Sequence, residues 1–348
     1  MKKTGLVLLF LASAAVVGGS RLMRLKDTSA IHPQQATDLY LRNRVHLPRL
    51  SYILVDSLHI ASNKKELRWA ANLLGWHTFQ PGHYKINHNF TYESLLSKLA
   101  KGNQDPVTVT IVPGKREPSI AASLAQKMRF DSAAVMQALR DSSFLAKEHL
   151  TRKSALGHLF PETYKFYWTS PPKIVLKHIF NEFNQKVIQP YHARFDSLKL
   201  SQKGIITLAS IIEGEAAHND EKPVISGLYW NRLKKNMYLQ ADPTVLYALK
   251  KRRRLHFKDY NVDSPYNTYK HKGLPPGPIN NPSLSSIKAA LFPANNNYLY
   301  MVARPNGYHS FSKTYAKHRQ QSKKWRNYLR SQRNAAADST TGQTTNQR

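Results

Sequence analysis

The hydrophobic periodicity of the chain changes along its length, and this change constrains the fold more than any other feature. Between residues 51 and 112, short β-rich runs alternate with segments whose apolar residues recur at helical spacing. From about residue 117 to 235 the spacing is mainly helical, interrupted at 159–168, where Pro161 favours an extended boundary. The pattern predicts an α+β protein with two folded regions.

The same spacing predicts individual elements. We expect strands at 51–56, 82–86 and 107–112, and helices at 64–76, 91–101, 173–186, 204–217 and 220–235, with a mostly helical stretch at 117–147. A long breaker-rich loop at 250–282 should be followed by a helix at 283–291, strands at 298–302 and 308–311, and a basic helix to about 330.

The N-terminus predicts export. Lys2 and Lys3 precede an apolar run from Gly5 to Gly19, which Arg21 closes. The run is shorter than the roughly 20 residues of a spanning helix and contains Ala12-Ser13-Ala14, so a cleaved signal peptide stays open as the alternative to the favoured uncleaved membrane anchor. We therefore expect a single-pass protein of the cytoplasmic (inner) membrane, with its folded part on the periplasmic or extracytoplasmic side and residues 22–48 as a juxtamembrane stalk.

The charge of the chain predicts an anionic partner. Fifty-two Lys and Arg residues against 21 Asp and Glu give a formal net charge of +31. Nucleic acid, anionic lipid and acidic polymers all attract such a surface, and export argues against nucleic acid. The chain has no cysteine, which excludes disulfides and thiolate chemistry and is compatible with an oxidising compartment.

The most informative window is the apolar helix from Leu208 to Ala217, which carries Glu213 and Glu215 near its end. A carboxyl group set in an apolar wall has a raised pKa and can act as a general acid. The two positions lie about 200° apart on a helix, so they cannot face one cleft. Glu213 should lie on the more buried side and Glu215 nearer the solvated end. Two surface charges at a helix end remain an equal alternative.

Two further segments offer candidate substrate contacts. Asp242 precedes Pro243 and is predicted to cap the following helix, while Gln240 and Thr244 are candidate substrate contacts. The loop 264–270 mixes aromatic faces with amide and hydroxyl groups, which suits sugar rings. A tyrosine-rich loop packed on the core explains that loop equally well.

Other chemistries have no support in the sequence. None of the 15 histidines has ligand spacing with a carboxylate on one helix face, so we expect no metal, and His271, His309 and His318 are interpreted as surface or hydrogen-bonding residues. A Gly-rich phosphate loop and a Gly-x-Ser-x-Gly elbow are both absent from the sequence. We expect no cofactor.

Six segments, in this order, resemble motifs of the endolytic murein transglycosylase family, also called YceG-like: 208–213, 231–233, 239–247, 266–269, 273–279 and 309–311. The resemblance is strong over 159–318 and weaker over 51–112, where the family has a small LysM-like domain. It implies a LysM-like domain at 49–115 and a mixed α/β catalytic domain at 116–330. The residues themselves predict the anchor at 1–21 and the stalk at 22–48 before these domains, and a polar tail at 331–348 after them.

The resemblance also implies a reaction. It places the catalytic glutamate at Glu213, which would protonate the leaving oxygen of a MurNAc-β-1,4-GlcNAc bond and then accept the proton of the muramyl 6-hydroxyl. The products are 1,6-anhydroMurNAc ends, water is not the nucleophile, and the cut helps to terminate glycan elongation. Expected partners are glycan strands and the membrane, with peptidoglycan synthases as further candidates. The candidate substrate-binding residues are Gln240, Asp242, Thr244, Tyr247, Asn267, Tyr269 and Glu162.

The chain departs from the family pattern at two positions. Gly214 stands where the family commonly has lysine, and Leu156 where an acidic residue often precedes the Gly-x-Leu-Phe-Pro segment. Three alternatives stay open: a non-catalytic peptidoglycan-binding protein, a nucleic-acid binder, and a hydrolase of the same bond in which Asp242 or Glu215 is a second acid.

Overall fold

The computed structural model describes residues 2–61, 63–251 and 253–342. By its internal contacts the chain divides into two compact units. The first comprises residues 1–109, 124–131 and 164–171, and the second comprises 110–123, 132–163 and 172–348.

The described residues contain fourteen α-helices and eight strands. The helices are α1 (Lys2–Leu25), α2 (Leu47–Tyr52), α3 (Lys64–Leu73), α4 (Tyr92–Lys101), α5 (Glu117–Ala125), α6 (Ser132–Ala138), α7 (Ser142–Lys147), α8 (Pro172–Phe183), α9 (Gln189–Ser197), α10 (Gln202–Glu215), α11 (Lys222–Lys234), α12 (Asp242–Ala248), α13 (Leu284–Leu291) and α14 (Tyr315–Gly342). The strands are β1 (Thr37–Leu41), β2 (Val45–His46), β3 (Thr78–Phe79), β4 (Gly82–Ile86), β5 (Pro106–Thr110), β6 (Thr163–Tyr167), β7 (Tyr300–Ala303) and β8 (His309–Ser312).

The strands pair as four two-stranded sheets, which confirms the α+β class. The pairs are β1 with β4, β2 with β3, β5 with β6, and β7 with β8. The predicted strand at 82–86 and the predicted helix at 91–101 are confirmed: Thr91 caps α4 and Gly102 ends it in the left-handed conformation.

The first unit is built around α2, α3 and α4 with the β1–β4 pair. Antiparallel pairing sets Leu39 opposite Tyr84, and both side chains are buried. Strands β1 and β2 lie within the predicted stalk, at residues 37–41 and 45–46, and belong to this folded unit.

The predicted strand at 51–56 is wrong. Residues 47–57 are helical, as α2 followed by a π-helical turn. Leu50 and Leu54, four residues apart, point into the core, and this helical spacing of buried groups outweighs the β-propensity of the run.

At the N-terminus, α1 covers the predicted anchor. No helix among the described residues is both long and apolar enough to span a membrane.

The second unit is organised around α10. Its residues Ile205 to Ile212 are all buried, because α11, α12 and α13 pack around this helix. Buried side chains on every face explain the near-continuous apolar run in the sequence. Both glutamates come directly after this run, and so they are positioned by the most buried helix of the unit.

The second unit ends with a hairpin and a long helix. In the antiparallel β7–β8 pair, Ala303 lies opposite His309. The helix α14 packs against both strands and continues to Gly342, so residues 331–342 of the predicted polar tail are helical. Residues 343–348 lie outside the described residues.

Candidate active site

A cleft of about 470 Å³ opens beside the C-terminal end of α10 in the second unit. Polar and aromatic side chains from α10, α11, the loop before α12, the β7–β8 hairpin and α14 form its walls. They include Glu215, Tyr229, Arg232, Gln240, Asp242, Tyr269, Tyr300, His309, Tyr315 and His318.

Glu215 is the α10 carboxylate that lines this cleft. The hydroxyl of Tyr229 donates to its Oε1 at 3.0 Å. Burial, assisted by the negative charge of Asp242, raises the pKa of Glu215 to about 7, although Tyr229 and Arg232 act in the opposite direction. The expectation that Glu215 lies at the solvated end is therefore wrong, because α11 covers the last turn of the helix.

Asp242 is the second carboxylate of the cleft. Its Oδ1 accepts the hydroxyl of Tyr269 at 2.6 Å, and its Oδ2 accepts that of Tyr260 at 3.3 Å. The predicted capping role is wrong, since Ala241 occupies the N-cap position of α12 and makes no side-chain cap. The two phenol groups hold the Asp242 carboxylate in the cleft.

Glu213 has a different environment and does not line the cleft. Its Oε2 accepts the Lys222 ammonium at 3.1 Å, the Ser286 hydroxyl at 2.6 Å, and both the backbone N–H and the hydroxyl of Ser283. Burial alone would raise the pKa of Glu213, but these hydrogen bonds and the charge of Lys222 lower it. Since Ser283 caps α13, Glu213 neutralises the N-terminus of that helix and joins it to α11.

The sequence prediction that the two glutamates do not face one cleft is confirmed. Between them, Gly214 faces α12: a Cβ built on Gly214 would lie 2.7 Å from Cβ of Pro243. The glycine allows α10 and α12 to approach closely, and a lysine at this position would need them to separate. Leu156 is 2% exposed and is a core residue.

Only three of the seven candidate substrate-binding residues, Gln240, Asp242 and Tyr269, line the cleft described here. Gln240 adopts a left-handed backbone conformation, with φ of 48°. Thr244 and Asn267 are fully buried and hold the loop together instead. Thr244 bonds the Ala241 carbonyl at 2.7 Å, and the Asn267 amide donates to two backbone carbonyls of its own loop.

The remaining two candidates lie elsewhere. Tyr247 packs against Tyr266 with ring centroids 4.7 Å apart and lines a separate cavity of about 590 Å³. Glu162 is partly exposed and forms an ion pair with Lys186 at 2.8 Å.

Several side chains that line the cleft are not among the residues predicted from the sequence. Arg232 is buried and directs Nε to the Leu299 carbonyl at 2.6 Å and Nη1 to the Leu239 carbonyl at 2.7 Å, which fixes the hairpin and the loop before α12. His309 and His318, predicted to be surface or hydrogen-bonding residues, both line the cleft, and His309 bonds Glu221. Both Arg232 and His309 lie in motifs that carried the family resemblance, and those motifs were the available signal.

The chain belongs to the YceG-like family, whose model matches residues 43–324. A protein of Bacillus subtilis strain 168 named endolytic murein transglycosylase is 34% identical over 285 residues, covering 76% of this chain and 78% of that protein. A protein of the same name from Streptococcus pneumoniae is 30% identical over 254 residues, covering 64% of this chain and 46% of that longer protein.

A solved structure is also similar. The crystal structure of a YceG-like protein from Listeria monocytogenes matches with a TM-score of 0.58 and 28% identity, covering 82% of this chain and 99% of that one.

Proposed function

We propose that this chain is a lytic transglycosylase that cuts the glycan strands of murein internally. The names of its relatives supply the substrate and reaction class. The polar, tyrosine-rich cleft of the second unit is suited to sugar rings, which present apolar faces and hydroxyl rims. A purely glycan-binding protein would not need a carboxyl group tuned for proton transfer.

The general acid in this proposal is Glu215 rather than Glu213. The observation that carries the assignment is a pKa raised to about 7 in a group that lines the cleft. Such a group holds a proton near neutral pH and can give it to the oxygen of a leaving sugar. Glu213 is held ionised by Lys222 and two serines, and an ionised carboxylate has no proton to donate.

We infer that the muramyl 6-hydroxyl attacks its own anomeric carbon. The C1–O4 bond breaks with its electron pair on O4, which takes the proton of Glu215, and the O6–C1 bond forms. The Glu215 carboxylate then accepts the O6 proton, which restores the acid and leaves a 1,6-anhydro end. Burial, assisted by the negative charge of Asp242, would keep Glu215 protonated, and Tyr229 would orient its carboxyl group.

The setting of the reaction is part of the proposal. The basic and apolar N-terminus supports action on the outer side of the cytoplasmic membrane, near nascent strands and their synthases. In the first unit, α2 and α3 come between the paired strands β1 and β4, an order compatible with a LysM-like glycan-binding module.

Product analysis tests the proposal. Purified protein incubated with intact glycan strands should release fragments with 1,6-anhydroMurNAc ends, which mass spectrometry detects as products that have not gained water. Glu215→Gln should slow release by about 10²- to 10⁴-fold, whereas the matched, folded variant Glu213→Gln should retain it.

Two other results would redirect the assignment. Products that have gained water would indicate a hydrolase, in which Asp242 acts beside Glu215 as the second carboxylate of the cleft. An active Glu215→Gln variant together with an inactive, folded Glu213→Gln variant would return the acid to Glu213.

A further inference from the structure

A carboxylate–imidazole pair lies at the edge of the cleft, where Glu221 bonds the cleft residue His309. Glu221 Oε1 accepts the backbone N–H of His309 at 2.7 Å, and Oε2 lies 2.9 Å from Nδ1 of the same residue. The two side chains are only 8% and 12% exposed. Because a carboxylate oxygen accepts, Nδ1 carries the proton, and the orientation of the imidazole ring is fixed.

This orientation leaves Nε2 of His309 available to a ligand in the cleft. His309 is one of the residues that line it, and within the described residues Nε2 has no hydrogen-bond partner. When the ring carries both protons, as an imidazolium paired with the Glu221 carboxylate, Nε2 is a donor as well as Nδ1. The pair thus presents a positioned donor on the β7–β8 hairpin, in the same cleft as Glu215.

The other basic side chains of this cleft are engaged or neutral. Arg232 uses Nε and Nη1 on backbone carbonyls. Burial, and then the charge of Arg232, lower the pKa of His318, which favours its neutral form. His309 is therefore the basic group best placed to meet an oxygen of the substrate.

The two sugars of murein differ at one position that a hydrogen-bond donor can recognise. Muramic acid carries a lactyl ether ending in a carboxyl or amide carbonyl group, and N-acetylglucosamine has a hydroxyl there. We propose that His309, oriented by Glu221, donates its Nε2–H to the lactyl carbonyl oxygen and so selects muramyl glycans over strands made of N-acetylglucosamine alone. This inference rests on the proposed function, since it takes murein as the substrate.

Binding by a form that does not cut its ligand tests the inference. In the Glu215→Gln protein, calorimetry should compare a murein tetrasaccharide with chitotetraose, which lacks lactyl groups. Adding His309→Ala should weaken binding of the murein tetrasaccharide about 10- to 100-fold, the loss expected for one charge-assisted hydrogen bond. Binding of chitotetraose should change by less than about twofold.

The variant Glu221→Gln distinguishes the positioning role of Glu221 from the direct substrate contact made by His309. A glutamine amide can donate to Nδ1, which leaves a neutral ring with Nε2 as a donor, so the loss for the murein ligand should be smaller than with His309→Ala. Combining Glu221→Gln with His309→Ala should add nothing to the loss from His309→Ala, because Glu221 acts through the imidazole.

Tyr308→Ala is the matched control. Tyr308 stacks on His218 at 4.0 Å and donates to Asp220 at 3.2 Å, contacts that hold the same hairpin turn but lie outside the cleft. It should leave both affinities unchanged. Equal losses for the two glycans in His309→Ala, no loss at all, or the same selective loss in Tyr308→Ala would overturn the inference. A parent protein that binds neither glycan would contradict the proposed function and this inference with it.

Discussion

Glu213 and Glu215 lie two residues apart on one helix, yet their surroundings give them opposite properties. Glu213 faces the N-terminus of α13 and the buried ammonium of Lys222, which stabilise its charge. Glu215 faces Tyr229 and Asp242, and burial favours its neutral form. A carboxylate surrounded by donors fastens helices together, whereas one held in a poorly solvated cleft beside another negative charge can deliver a proton.

The largest expected effect is on catalysis. Glu215→Gln should lower kcat on glycan strands about 10²- to 10⁴-fold, because general acid–base catalysis commonly contributes that much. Glu213→Gln should stay within about tenfold of wild type per folded molecule, since the group is outside the cleft. Release of soluble fragments measures both rates, and circular dichroism establishes that each variant is folded. Equal losses in the two folded variants would remove the distinction between them.

The second effect is a loss of folding stability, which is expected when Glu213 is replaced. Glu213→Gln leaves the ammonium of Lys222 buried without its counter-charge, which typically costs about 3–5 kcal/mol. Urea unfolding measures this loss. Adding Lys222→Met should recover part of it, because the unpaired charge is then gone; an additive further loss would contradict the structural role.

Glu215→Gln should stabilise the protein instead. The pKa of Glu215 is raised from 4.5 to about 7, so the ionised form is disfavoured by folding. Wild-type stability should therefore fall as pH rises from about 4.5 to about 7, by up to about 3 kcal/mol from this group. Glu215→Gln should lack that part of the pH dependence. Identical pH profiles of unfolding for the two proteins would contradict a raised pKa.

Gly214 tests the close packing of α10 against α12 beside the two glutamates. Gly214→Ala places a methyl group 2.7 Å from Pro243, which should cost about 1–3 kcal/mol through overpacking. Thermal unfolding measures the change. Pro243→Ala in the same chain should relieve part of it, and an unchanged Tm in Gly214→Ala would show that α12 moves freely.

The smallest effects concern the pH profile. Activity should fall above about pH 7 as Glu215 loses its proton. Asp242→Asn removes a negative charge, so the pH at which activity falls should decrease by about one unit. Tyr229→Phe removes a hydrogen bond to the Glu215 carboxylate, so the pH at which activity falls should increase. Shifts in the same direction would contradict these two roles.

The sequence predicted most of the fold but only part of the site. Periodicity placed α4 and β4 correctly, because their core faces follow regular spacing and Thr91 and Gly102 mark the ends of α4. It failed at 51–56, where tertiary contacts of Leu50 and Leu54 decided the structure.

At the site, the sequence found the correct helix and the separation of its two carboxylates. It could not tell which one faces the cleft, because Ser283 and Ser286 reach Glu213 from 70 and 73 residues further along the chain. The pairing of Glu221 with His309 likewise joins residues 88 positions apart. Such contacts arise from tertiary packing and leave no local pattern.

The most direct test of this comparison is a titration of the two carboxyl groups by carbon-13 NMR, assigned with Glu213→Gln and Glu215→Gln. We predict that Glu215 titrates near pH 7 and that Glu213 titrates below 4.5. A Glu215 that titrates at or below 4.5 while Glu213 titrates near neutrality would contradict the account.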